Sequence, residues 1–152
     1  MKIFQVFESY PLFYQPYIPP TLELLSKQDQ INSKIIAFEG KSYSESTEIL
    51  PSPKKRAYLE KLSDIFSNKN FNYLEKKAVK EGVDIIHLQH SFLHNKVKTL
   101  LDSEITNKPK IVITLRGGDT YIKPWVSTRW RDFYKNYGDK VNAFVVMSEN
   151  QK

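Results

Sequence analysis

Lys110-Ile111-Val112-Ile113-Thr114-Leu115-Arg116-Gly117-Gly118-Asp119 is an apolar run that stops abruptly in a charged, glycine-rich turn. Ile111 to Leu115 is too short for a helix and too uniformly apolar for a strand wet on one face. It reads as a strand buried on both faces, the kind found in parallel sheets. In open α/β sheets, ligands bind just outside the carboxyl ends of such strands. The turn therefore sits where a site would be, with one cation, one anion and two glycines.

The segments around this strand alternate in type. Upstream, Ile3–Phe7 is a first strand, followed by a turn rich in aromatics and prolines, Ser9–Pro20. A helix begins near Thr21, with Ile18, Leu22 and Leu25 at helical spacing. Lys34–Phe38 is a second strand and Gly40–Pro53 a polar loop. Ser52-Pro53 opens a helix with a Tyr58-Leu59, Leu62, Ile65-Phe66 stripe. Asn70 caps another, with Phe71, Leu74 and Ala78 inward and Gly82 at its end. Val83–His90 is a third strand, and Ser91 caps a helix with Leu93, Val97, Leu100 and Leu101 inward. Downstream, a helix near Trp125–Tyr137 turns Val126, Trp130, Phe133, Tyr134 and Tyr137 to one side, and Gly138 ends it. Asn142–Met147 is a fifth strand, and Ser148 could cap one more helix. Such alternation implies an α/β fold, a parallel sheet with helices on both faces and right-handed crossovers. A last strand without its covering helix would leave apolar area exposed, so either the final residues fold differently or the chain is part of something longer.

Composition sets limits on function. The 152 residues suit one domain, contain no cysteine, and so exclude disulfides, thiolate metal sites and a cysteine nucleophile. MKIFQVF is too short for a signal peptide, and no apolar stretch approaches a bilayer span, so a cytoplasmic protein is expected. The net charge is +6, and Pro53–Lys80 holds eight cations against three anions, most of that excess. Such a basic face suits an anionic membrane, a phosphorylated substrate or nucleic acid, or is simply the solvated side of two helices. Aromatics do not interleave with the cations, which argues against nucleic acid.

Spacing excludes several sites. The five glycines, Gly40, Gly82, Gly117, Gly118 and Gly138, form no dinucleotide fingerprint, phosphate loop or nucleophile elbow. His87, His90 and His94 have a ligand-like spacing, but His87 and His90 point to opposite strand faces, so no metal is expected. His87 reads as a hydrogen-bonded core histidine, His90 as a rim residue suited to substrate contact or to a turn, and His94 as solvated. The Arg116 turn has two readings. In one, Gly117 and Gly118 only allow positive φ, Asp119 caps amides and Arg116 pairs with it. In the other, the glycines admit a ligand to the backbone, Arg116 grips a phosphate or carboxylate, and Asp119 accepts from a sugar hydroxyl.

Asp84-Ile85-Ile86-His87, then Arg116-Gly117-Gly118-Asp119, then Ser148-Glu149, in that order on matching elements, resemble the N-terminal domain of family 4 (group 1) glycosyltransferases of the GT-B fold. The resemblance covers roughly residues 83–150. It implies a Rossmann-like, acceptor-binding half of a retaining glycosyltransferase for glycan or polysaccharide biosynthesis. A nucleotide-sugar donor would be bound mainly by a C-terminal domain that this chain does not contain, so the chain alone should be inactive. No metal or other cofactor is implied. Carried onto this chain, the catalytic positions are Arg116 and Asp119, and the acceptor-side positions are Tyr10, Tyr14, His90, Gly117, Gly118, Ser148 and Glu149. Partners would be a glycan or lipid-linked acceptor and the donor domain; an anionic membrane surface is expected only from the basic face, Lys54–Lys80. Two departures matter. The loop after the first strand lacks the glycine pair many relatives carry, and its Tyr10, Phe13 and Tyr14 read either as core under a long loop or as a stacking platform for a sugar ring. Arg116 stands where many relatives have histidine. Apart from the resemblance, the residues also suit a non-catalytic α/β module for a phosphorylated or anionic ligand.

Overall fold

The structure, a computed structural model, describes residues 1–11, 15–42, 44–64 and 70–151. Six strands make one sheet: β1 (Lys2–Tyr10), β2 (Asn32–Gly40), β3 (Thr47–Ile49), β4 (Ile85–Leu88), β5 (Lys110–Leu115) and β6 (Ala143–Val146). All neighbours are parallel, in the order β3-β2-β1-β4-β5-β6. This is a Rossmann-like sheet. The chain lays β2 and β3 on one side of β1, then returns to place β4 on the other. The crevice outside the carboxyl ends of β1 and β4 is therefore the topological switch point.

The helices are α1 (Ile18–Ser26), α2 (Pro53–Asp64), α3 (Tyr73–Lys80), α4 (Lys98–Asp102), α5 (Gly118–Tyr121), α6 (Lys123–Val126) and α7 (Thr128–Tyr137). They lie on both faces, as the alternation of segments predicts. On one face Ile18 and Leu22 of α1 pack with Phe7, Tyr10, Ile35 and Ala37. On the other, Leu74 and Ala78 of α3, Leu100 of α4 and Phe133 of α7 join Val6, Ile86, Leu88 and Ile113 in the larger core. As expected of a strand covered on both sides, Ile111, Ile113, Thr114 and Leu115 are all buried. On the α1 side the far edge is open: Val145 is 41% and Met147 53% exposed.

Local chemistry explains where elements begin. The cap of α3 is Asn72 rather than Asn70, because Glu75 three residues on completes a capping box with it. Glu75 is fully buried and also accepts from the Leu100 amide at 2.9 Å, tying α3 to α4. Burial pushes its carboxyl pKa up. At the ends of β1 and β2, Gly40 lies opposite Tyr10 with φ +124, and a Cβ there would come within 1.9 Å of the Tyr10 carbonyl oxygen.

Several segments differ from the sequence reading. β1 and β2 run longer than expected, and the edge strand β3 lies inside the predicted loop. It is held by serines: the Ser42 hydroxyl donates to the Thr47 carbonyl at 2.8 Å. The single helix expected after Ser91 is a 3-10 segment, Ser91–Lys96, followed by α4, with Val97 (φ −130, ψ 7) leaving the helical conformation between them. Trp125–Tyr137 is not one helix either. The path from Gly118 breaks into α5, α6 and α7 at Ile122 and Ser127, and Val126, expected inward, is 72% exposed. Of the stripe on α2, Tyr58 and Leu62 face outward, 62% and 41% exposed, and Leu59 is half-buried; Ile65 and Phe66 lie outside the described residues. No helix among the described residues is long and apolar enough to cross a membrane.

Candidate functional site

β5 ends at Leu115 and the next three residues reverse the chain. The Gly118 amide donates to the Arg116 carbonyl at 3.1 Å across Gly117, whose φ is +79 and ψ −79. This is a γ-turn with positive φ at its centre, a conformation strained for any residue with a Cβ. Gly118 has no positive φ. Asp119 locks the turn. One carboxylate oxygen accepts from the Arg116 amide at 2.7 Å and the other from the Ser91 hydroxyl at 2.6 Å. Its carbonyl accepts from the Tyr134 hydroxyl at 3.1 Å. Asp119 is only 8% exposed. Its carboxylate thus joins the ends of β4 and β5 and does not face an open crevice.

The Arg116 side chain turns the other way. Nε donates to the Gln89 carbonyl and Nη2 to the Gln89 side-chain oxygen, both at 2.7 Å. Nη1 donates to the Tyr17 hydroxyl at 3.1 Å, and the guanidinium lies 5.5 Å from the centre of that ring. Among the described residues these three bonds leave two of the five guanidinium N–H groups unused, and Arg116 makes no ion pair. The expected pairing of Arg116 with Asp119 is made by the backbone amide, not by the guanidinium.

Behind the arginine a polar network crosses the α1-side face of the sheet. A guanidinium can only donate, so the Gln89 oxygen is the acceptor and its Nε2 the donor. That Nε2 donates to the Gln5 side-chain oxygen at 2.7 Å and to His87 Nδ1 at 3.3 Å. His87 Nδ1 is then an acceptor, which places the ring proton on Nε2, and Nε2 donates to the Thr114 hydroxyl at 2.8 Å. Burial, and then the charge of Arg116, push the His87 pKa down to about 4. His87 is the hydrogen-bonded histidine the sequence suggests. It also lines, with Gln89, Thr114, Arg116, Tyr17 and Leu22, a largely apolar cavity of about 160 Å³ beneath α1.

Comparison with protein-family models, curated proteins and solved structures returns no match.

The other predicted residues are distributed unevenly around this rim. His90 follows β4, is 8% exposed and stacks on Phe92 with ring centres 4.9 Å apart. Burial and Arg116 push its pKa down to about 4, with Asp119 opposing. Its Nε2 is buried and, among the described residues, has no hydrogen-bond partner; nor does the side-chain oxygen of Gln15, in the segment after β1. His90 and Gln15 thus place two unsatisfied polar atoms beside the switch point. The ring of Tyr10 packs 5.0 Å from that of Phe7 and is 9% exposed, so it is core and not a stacking platform. Phe13 and Tyr14 lie outside the described residues. Ser148 and Glu149 are exposed just after β6, on the same rim, and a 3-10 turn, Glu149–Gln151, replaces the start of a further helix. His94, expected in solvent, is 3% exposed and stacks on Phe133 with centres 4.1 Å apart. Among the described residues, no group of three His, Asp or Glu side chains is placed to hold a metal ion.

The sequence reading passed over Gln5, Gln89, Thr114 and Tyr17. Gln5 did leave a signal, a polar side chain inside the apolar run Ile3–Phe7, because a polar group buried in a sheet needs a partner.

Proposed function

We propose that this domain is the acceptor-side half of a retaining GT-B glycosyltransferase, working with a donor-binding domain to move a sugar from a nucleotide-sugar to a glycan or lipid-linked acceptor. The order of the three motifs supports this reading, as does the strand order. The observation that carries it is Arg116. Among the described residues its half-buried guanidinium is oriented by neutral partners alone, with two N–H groups unspent at the carboxyl end of β5. A guanidinium so held is ready for an anionic oxygen and loses little freedom on binding one. Asp119 is a positioning residue in this scheme. It fixes the γ-turn that aims Arg116. Neutral His90 supplies an uncommitted ring nitrogen for an acceptor hydroxyl, and the cavity beneath α1 takes an apolar part of the ligand.

A second reading is a non-catalytic module for a phosphorylated or anionic ligand. It is favoured by Asp119, whose two carboxylate oxygens are both engaged within the fold. One experiment separates the two. The protein with its donor domain is incubated with labelled nucleotide sugars and a panel of glycan and lipid-linked acceptors, wild type beside Arg116→Ala. Label transfer that falls roughly tenfold or more in the variant supports the transferase. Saturable phosphate binding without transfer supports the module. Failure of the wild type to bind either phosphate or nucleotide sugar sinks both.

A further inference from the structure

We infer that α2 is a membrane-docking helix whose outer face takes an anionic lipid surface. The inference stands independently of the sugar-transfer reading.

Helix α2 is amphipathic in the inverse sense. At about 100° per residue, Lys61, Lys54, Tyr58, Leu62 and Lys55 fall in that angular order within an arc of roughly 120°. Tyr58 is 62% and Leu62 41% exposed, so this arc faces away from the protein. Among the described side chains of α2 none is buried, and only Arg56, Leu59 and Glu60 are half-buried. The opposite side is polar and holds the helix down. Arg56 donates to the Pro51 carbonyl at 2.6 Å and lies 5.0 Å from the centre of the Phe38 ring. Glu60 accepts from the Tyr73 amide at 2.7 Å. A helix made only to cover the sheet would turn Tyr58 and Leu62 inward.

The charges point the same way. The first turn of α2 has no acidic residue and begins Pro53-Lys54-Lys55. Cations at a helix N-terminus oppose the helix dipole. Among the described residues neither these lysines nor Lys61 makes an ion pair that would offset this. An apolar centre flanked by lysines matches a bilayer interface, where Tyr and Leu enter the headgroup boundary and Lys stems reach outward to lipid phosphates. Nucleic acid would use the lysines but not Leu62. Because every strand is parallel and α2 follows β3, its N-terminus lies at the carboxyl rim, the end that carries Arg116.

The test is co-sedimentation of the full protein with vesicles of phosphatidylcholine alone or with about 30 mol% phosphatidylglycerol, at about 0.1 M and about 0.5 M salt. Binding only to the anionic vesicles, weakened by salt, is expected. Lys54→Glu with Lys55→Glu should reduce it by roughly 25-fold or more, at about fivefold per lysine. That variant places acids at the helix N-terminus and so favours the folded helix, which keeps unfolding from imitating the result. Tyr58→Ser with Leu62→Ser should reduce binding roughly tenfold while leaving the preference for anionic lipid. Equal binding to both vesicle types, or binding unchanged in both variants, overturns the inference. So does preference for a short RNA duplex that the Tyr58/Leu62 variant retains in full.

Discussion

Arg116 and Gln89 meet twice, with Nε on the Gln89 carbonyl and Nη2 on its side-chain oxygen, each at 2.7 Å. The second contact fixes which way the Gln89 amide faces. Through that amide it sets the acceptor role of Gln5 and the tautomer of His87. A charged group beside β5 thereby orders neutral side chains from β1 to β5.

Gln89→Leu strands the Gln5 oxygen, one guanidinium N–H group and His87 Nδ1 at once. We expect a stability loss of roughly 2–4 kcal/mol, read by urea unfolding. Adding Gln5→Leu should recover part of it, because the stranded acceptor on β1 goes too. A coupling of about 1 kcal/mol or more is expected from the double-mutant cycle. Strict additivity would mean that the two amides do not depend on each other.

Acid should weaken the fold through its histidines. His87 and His90 have folded pKa values of about 4 against 6.5 ordinarily. Between those values the unfolded chain binds more protons, so stability is complete above pH 6.5 and falls as pH drops toward 4. The loss is on the order of 2 kcal/mol per histidine by about pH 5. Thermal unfolding of the His87→Gln and His90→Gln variants should show a flatter profile across that window. If each follows the wild-type slope, the neutral, buried rings are not the cause.

Gly40→Ala tests the junction that seats Tyr10. With φ +124 and the Tyr10 carbonyl oxygen 1.9 Å from the added Cβ, no side-chain motion relieves the contact. We expect a loss of about 3 kcal/mol or more, with the ends of β1 and β2 parting first. Gly82→Ala, at φ +60 with nothing within 4 Å, is the control and should cost only about 1 kcal/mol. Equal losses at the two positions would exclude the steric account.

Sequence pattern revealed the sheet because burial on both faces leaves little choice of residue. Ile111 to Leu115 is apolar throughout but for one threonine, and that threonine holds His87. β3 escaped notice because Thr47-Glu48-Ile49 is too short to show a period and is fastened by serines outside it. On α2 the period was read correctly but its direction was not. Spacing tells that Tyr58 and Leu62 share a side, not what that side meets. At the site, Arg116 and the strand end before it were legible. The partners of Arg116 were not, since Gln89 and Tyr17 lie 27 and 99 positions away and meet it only once β4 and α1 settle on the sheet.

That adjacency has a cost during synthesis. β1 leaves the ribosome before any strand it pairs with, and one of its edges stays bare until Ile85–Leu88 arrives. At roughly 5–20 residues per second, the bare edge persists for several seconds after β2 has paired. Throughout that interval Phe4 and Val6 lack most of their eventual cover, and an unpaired edge invites another nascent copy. The arrangement that creates the crevice thus leaves an open edge at the middle of the sheet until β4 has been made, and β5 and β6 can add only after that.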